Sequence, residues 1–109
     1  MRIEIIGDES LSRQARIYAE YRLFAAVSQI VDTGRVRSAS LALRRAKSRR
    51  DCDGMLCTVS VELNNGDVAR IRASGAHPYA AINRAIERLR VNAWPVRLES
   101  SHREMFVAE

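Results

Sequence analysis

One stretch of this chain limits its folding more than any other. From Met55 to Leu63, apolar residues fall on every second position: Met55, Cys57, Val59, Val61 and Leu63, with Thr58, Ser60 and Glu62 between them. A period of two puts alternate side chains on opposite sides of an extended backbone, which is the pattern of a half-buried β-strand. Asn65-Gly66 follows, the strongest short-range signal for a hairpin turn. Residues 67–74 read as the returning strand, with Ala69, Ile71 and Ala73 set against Arg70, Arg72 and Ser74.

Two further strands precede this hairpin. Residues 2–6, Arg-Ile-Glu-Ile-Ile, are short and β-branched, and Gly7 and Asp8 end them. Residues 35–46 alternate again: Ala39, Leu41 and Leu43 face one way, Ser38, Ser40 and Arg44 the other. Residues 47–54, Lys-Ser-Arg-Arg-Asp-Cys-Asp-Gly, read as a polar hairpin loop.

Helical spacing fills the remaining segments. Ser10 or Ser12 caps a helix running to about Val31, with an apolar stripe of Ala15, Ala19, Leu23, Ala26 and Ile30. Tyr18, Arg22 and Val27 flank the stripe, and Arg13, Arg16 and Glu20 occupy a more exposed face. Asp32-Thr33-Gly34 ends this helix, with Gly34 suited to a left-handed stop. Pro78 suits the first turn of a second helix, whose stripe is Tyr79, Ile82, Ile86, Leu89 and Ala93. Pro95 stops or kinks it.

The order is therefore β-α-β-β-β-α. It predicts an α+β two-layer sandwich: a four-stranded mixed sheet with both helices on one face. The other sheet face is left to polar positions such as Ser38, Ser40, Thr58 and Ser60. At 109 residues the chain is read as one domain over residues 1–96, with a flexible tail over 97–109. Trp94 either seals the end of the core, the favoured role, or stacks on a base.

Charge is concentrated. Arg44, Arg45, Lys47, Arg49 and Arg50 carry five positive charges within seven residues, and they equal the whole net charge of +5. A local cluster of this kind is either a phosphate-binding footprint or a solvated hairpin end.

The sequence holds few of the usual signs of catalysis. It has no phosphate-cradling glycine loop, no HExxH motif and no evident nucleophile–base pair, so no enzyme is expected. The two cysteines, Cys52 and Cys57, and the two histidines, His77 and His102, fit no zinc spacing, so neither metal nor cofactor is expected. Cys57 reads as a small apolar strand residue and Cys52 as a loop thiol. His77 reads as a cap. No apolar run approaches the ~20 residues of a membrane span. The expected compartment is the cytoplasm.

Several blocks, in order, resemble the ribosome hibernation-promoting factor family, the ribosome-associated translation inhibitors once described as sigma-54 modulation proteins. They are Val61-Glu62-Leu63-Asn64-Asn65-Gly66, then Ala73-Ser74, then Tyr79 through Leu89, whose opening Tyr-Ala-Ala-Ile is similar to the family's second helix. In the first helix, Arg16-x-Tyr18-Ala19-Glu20-x-Arg22-Leu23 is similar to the family's Arg-x-Tyr-Val-Glu-x-Lys-Leu. Residues 44–63 are similar to short members with an Arg-rich first hairpin and a cysteine just before the third strand's alternating run. The resemblance covers about residues 2–91. His77-Pro78 departs from the family's acidic cap, and Trp94-Pro95 with Glu99, Glu104 and Glu109 departs from its Lys-rich tail.

The resemblance implies the same β-α-β-β-β-α fold and a non-enzymatic role in ribosome hibernation, translation regulation and the stress response. It implies binding to the small ribosomal subunit, in the channel used by mRNA and tRNA anticodon stems, as a monomer without a membrane or small-molecule substrate. Carried over by motif, Arg16, Arg22, Arg84 and Arg88 are candidate RNA contacts, Arg22 and Arg88 being the closest matches. Arg44, Arg45, Lys47, Arg49 and Arg50 are candidates from local charge. A general RNA-binding module, or an interaction scaffold that keeps the fold and does not bind ribosomes, is the alternative.

Overall fold

The alternating run is the central strand of a five-stranded sheet. The computed structural model describes residues 1–7, 11–47, 53–91 and 104–107. Its elements are β1 (Arg2–Gly7), α1 (Arg13–Ile30), a 3-10 turn (Thr33–Arg35), β2 (Val36–Lys47), β3 (Asp53–Leu63), β4 (Val68–Gly75), α2 (Pro78–Val91) and β5 (Glu104–Val107). The strands lie side by side in chain order. β1 pairs with β2 in parallel, while β2, β3 and β4 form an antiparallel meander. The four-stranded mixed sheet with two helices read from the sequence is present.

A fifth strand extends it. Glu104–Val107 pairs in parallel with β4, in register from Val68↔Glu104 to Ile71↔Val107. Part of the segment expected to be a loose tail thus joins the sheet. An uncovered β4 edge offers a row of backbone donors and acceptors, and a short run with Phe and Val suits such an edge.

One sheet face carries the core. Ala39, Leu41 and Leu43 of β2, Met55 through Leu63 of β3 on alternate positions, and Ala69, Ile71 and Ala73 of β4 are buried together. Val36 joins them despite its opposite parity, because the β2–β3 register shifts between Val36 and Ser38. Such a bulge inserts one residue and returns the next to the core side. Against this face pack Ala15, Ala19, Leu23, Ala26 and Val27 of α1 and Ala81, Ile82, Ala85, Ile86 and Leu89 of α2.

The helix ends resolve two sequence expectations. Ser12, not Ser10, caps α1: its side chain accepts from the Ala15 amide at 3.0 Å. α1 ends at Ile30 in extended backbone at Val31, not in a left-handed glycine. Gly34 instead sits in the 3-10 turn, where the Asp32 carboxylate accepts from its amide at 3.0 Å. An aspartate two residues upstream offers the backbone its own turn, which removes the need for a positive φ.

The β3–β4 connection is tightly stitched. Gly66 has φ +97°, a conformation that favours glycine. The Asp67 amide donates to Asn65 Oδ1 at 2.9 Å, and Asn65 Nδ2 donates to the fully buried Asp67 carboxylate at 3.3 Å. Asn64 Nδ2 ties the turn to the Gly34 carbonyl at 2.9 Å. Gly75 sets the entry of α2: a Cβ there would lie 2.6 Å from the Ala81 nitrogen and 2.8 Å from the Ala80 carbonyl carbon. Only a residue without a side chain lets the helix start so close to the strand.

Candidate nucleic-acid interface

The cationic cluster sits on a projecting arm. β2 pairs with β1 only as far as Leu43, and β3 pairs with β4 only from Met55 onward. The pairs Ala46↔Gly54 and Lys47↔Asp53 lie beyond both neighbours, so β2 and β3 continue as a two-stranded ribbon. The hairpin is longer than the sequence suggests, since residues 47, 53 and 54 pair and do not belong to the loop. Arg44 and Arg45 are exposed at its base, on opposite faces of the strand. Lys47 is in its last described pair, and Arg49 and Arg50 lie outside the described residues.

The helix layer holds the second set of cations. α1 contains Arg13, Arg16 and Arg22 against Glu20, and α2 contains Arg84, Arg88 and Arg90 against Glu87. Because α1 starts where β1 ends, its first turns stand at the same end of the sheet as Arg44 and Arg45. α2 also starts there, after Gly75. Arg88 lies ten residues beyond Pro78, about 15 Å along the axis at 1.5 Å per residue. The sequence-selected residues form no single cluster: Arg16 reaches the Ile5 carbonyl on β1, whereas Arg84 reaches the Ser74 carbonyl on β4, with two strands between.

Their surroundings differ. Arg16 is half-buried, and its Nη1 donates to the Ile5 carbonyl at 3.0 Å, tying α1 to β1. The more exposed setting read from the sequence is thus corrected, and part of this guanidinium is committed to the fold. Arg22 is half-buried, and its Nε is buried with no hydrogen-bond acceptor among the described residues. Such a donor costs about 1–3 kcal/mol unless something supplies an acceptor. Arg84 is exposed, with Nη1 at 3.4 Å from the Ser74 carbonyl. Arg88 is half-buried on the last turn of α2.

The helix-free sheet face is polar and mixed in sign. Ser38, Ser40, Thr58 and Ser60 lie there, as expected. Arg70 Nε donates to Ser60 Oγ at 3.2 Å. Arg37 reaches Glu62 at 3.5 Å and the Asn64 carbonyl at 3.2 Å. Arg37 and Arg70 are thus bonded to local partners, whereas Arg72 is exposed on the same face.

Sequence reasoning missed one feature. Ile17, Tyr21 and Phe24 are 57%, 68% and 50% exposed on the side of α1 turned away from the sheet. Their spacing of four and three is itself helical, so the signal was present beneath the alanine stripe. On the side facing α2, Tyr18 donates to Asn83 Oδ1 at 2.7 Å and meets Tyr79 edge to face at 5.1 Å between ring centres. Tyr79, read as part of the α2 core stripe, is 39% exposed, and Ala81 and Ala85 take the buried positions instead. Spacing alone put it in the stripe, whereas the ring seals the seam between the helices. Ala93 lies outside the described residues.

Other chemistry is sparse. Burial pushes the Cys57 thiol up to about 12, so it stays protonated at neutral pH and packs as an apolar residue. His77 caps α2: Nδ1 accepts from the Ala80 amide at 3.3 Å and its carbonyl accepts from Ala81 at 3.1 Å. Among the described residues, no group of three or more His, Cys, Asp or Glu is placed to hold a metal ion, and no helix is long and apolar enough to cross a membrane.

Comparison with known proteins supports the architecture. No protein-family model matches the sequence, and no curated protein is similar to it. A solved structure does match: a ribosomal subunit interface protein from Coxiella burnetii, with a TM-score of 0.67 and 14% identity, over 93% of this chain and 100% of that one. The chain shares the fold of that protein.

Proposed function

We propose that this protein is a ribosome-associated translation inhibitor of the hibernation-factor kind. It acts in the cytoplasm as a non-enzymatic monomer that occupies the mRNA and tRNA channel of the small ribosomal subunit. Residues 1–96 supply the binding domain and 97–109 follow it as a tail that rejoins the sheet through β5. The observation that carries this reading is a helix layer with six arginines against two glutamates, on a fold shared with a ribosomal subunit interface protein.

The physics suits that role. Structured RNA is recognised through backbone shape and phosphates, and a rigid two-layer scaffold presents guanidinium groups at fixed spacing. Arg44 and Arg45 at the base of the arm, with Lys47, Arg49 and Arg50 next in sequence, are the first candidate contacts. On the helices, Arg16, Arg22, Arg84 and Arg88 are the further candidate contacts.

Neutralising the arm tests the assignment. Replacing Arg44, Arg45, Lys47, Arg49 and Arg50 by Gln is expected to weaken small-subunit binding and to flatten its salt dependence, by about one unit of log–log slope for each phosphate left without its cation. Unchanged affinity together with an unchanged slope would remove the arm from the interface.

A further inference from the structure

The β3–β4 turn carries a chemically reactive pair. Asn65-Gly66 is the one Asn-Gly step in the chain. The side-chain carbonyl carbon of an asparagine is open to attack by the backbone nitrogen of the next residue. Glycine in that place leaves the nitrogen unshielded, because it has no Cβ. Asn65 and Gly66 are both exposed, so water reaches them.

The reaction needs only water. The Gly66 nitrogen bonds to Asn65 Cγ and gives up its proton, the Cγ–Nδ2 bond breaks, and Nδ2 leaves with that proton as ammonia. Water then opens the cyclic imide at one carbonyl or the other. The product is aspartate, or isoaspartate, whose main chain is longer by a methylene. No oxidant or reductant takes part.

The fold holds each of these atoms in another role. The Gly66 N–H donates to the Leu63 carbonyl at 3.0 Å, which opposes loss of its proton. Asn65 Oδ1 accepts from the Asp67 amide at 2.9 Å, and Nδ2 donates to Asp67 Oδ2 at 3.3 Å. Both ends of the side-chain amide are therefore directed to residue 67 and past the Gly66 nitrogen. An ionised carboxylate only accepts, so Asp67 gives the departing Nδ2 no proton. The turn is braced as well: Asn64 donates from its amide to the Arg35 carbonyl and from Nδ2 to the Gly34 carbonyl, both at 2.9 Å.

The same contacts make the product a poor fit. Deamidation replaces Nδ2, a donor, by a carboxylate oxygen that faces the fully buried Asp67 carboxylate. Like charges at that range oppose each other. Isoaspartate also lengthens the turn, and turn length sets the β3–β4 register.

We infer that Asn65-Gly66 is a deamidation site gated by the fold. It is closed while the β3–β4 turn is formed, it opens when the turn unfolds, and it leaves a chain that refolds less stably. The site thus marks chains that have been unfolded, whatever they bind.

The test holds the full chain in mildly alkaline buffer, folded or unfolded by guanidinium chloride, and follows Asn65 by peptide mass spectrometry. Unfolded, Asn65 is expected to deamidate ahead of Asn64, Asn83 and Asn92. Folded, it is expected to react at least about tenfold more slowly, since only the opened fraction reacts. Gly66→Ala, measured in guanidinium where its fold is immaterial, is expected to slow the reaction by shielding the nitrogen. Equal rates in the folded and unfolded chain overturn the gate, and an unslowed Gly66→Ala overturns the imide route. The product is tested by Asn65→Asp, expected to lower the thermal midpoint by roughly 5 °C. Asn65→Ser also removes the amide, adds no charge, and is expected to lower it less. An Asn65→Asp chain as stable as Asn65→Ser overturns the charge clash.

Discussion

The two helices rest on the same sheet and carry the same net charge, yet they distribute size in opposite ways. α2 turns Ile82, Ile86 and Leu89 inward with two alanines and shows the solvent Arg84, Glu87 and Arg90. α1 turns three alanines inward, with Leu23 and Val27, and shows the solvent Ile17, Tyr21 and Phe24. Apolar burial contributes roughly 25 cal/mol per Å², so α2 places its large side chains where they stabilise the fold. On α1, three large side chains contribute little to that term. The difference teaches that the large apolar side chains of α2 serve packing, whereas three of those on α1 lie outside the core.

Core truncation should treat the helices alike and sharpen the contrast with the outer stripe. Ile82→Ala and Leu23→Ala, both at 0% exposure, are each expected to cost about 2–5 kcal/mol in urea denaturation. Tyr21→Ala is expected to stay within about 0.5 kcal/mol, as exposed substitutions do. A Tyr21→Ala loss equal to that of Leu23→Ala would mean the outer stripe is packed, and the comparison would break.

The caps give a smaller difference. Ser12→Ala removes a 3.0 Å hydroxyl acceptor from α1 and is expected to cost about 1 kcal/mol. His77→Ala removes a longer 3.3 Å hydrogen bond at the exposed start of α2, and a smaller loss is expected. Equal losses would show that the two helix starts are held equally.

Smallest are the arginines. Arg16→Ala breaks the 3.0 Å bond to the Ile5 carbonyl and is expected to cost about 0.5–1.5 kcal/mol. Arg84→Ala, exposed and bonded at only 3.4 Å, is expected to shift the thermal midpoint hardly at all while still weakening RNA binding. Arg84→Ala that destabilises more than Arg16→Ala would reverse the two roles.

Much of this was legible where one physical demand dominates. β3 is buried on one face along its whole length, so its alternation survives unbroken from Met55 to Leu63. The core of α2 was legible for the same reason at Ile82, Ile86 and Leu89. Legibility failed where local geometry overrides parity. A bulge carries Val36 into the core, an aspartate turn replaces the left-handed stop at Gly34, and β5 forms because β4 leaves an edge to pair with. Within the candidate site, charge marked Arg44 and Arg45 correctly as exposed. It could not reveal that Arg16 spends a donor on Ile5, because that bond depends on how α1 lies across β1. The stripe of Ile17, Tyr21 and Phe24 escaped because two helical stripes on one helix read as a single, weakly patterned apolar segment.

The most direct measurement is sucrose-gradient co-sedimentation of the purified protein with bacterial ribosomes and with separated subunits, at two salt concentrations and with tRNA as competitor. The account predicts stoichiometric binding to the small subunit that falls with salt and is lost when tRNA fills the decoding sites. No binding at low salt, or binding that tRNA leaves untouched, would contradict it.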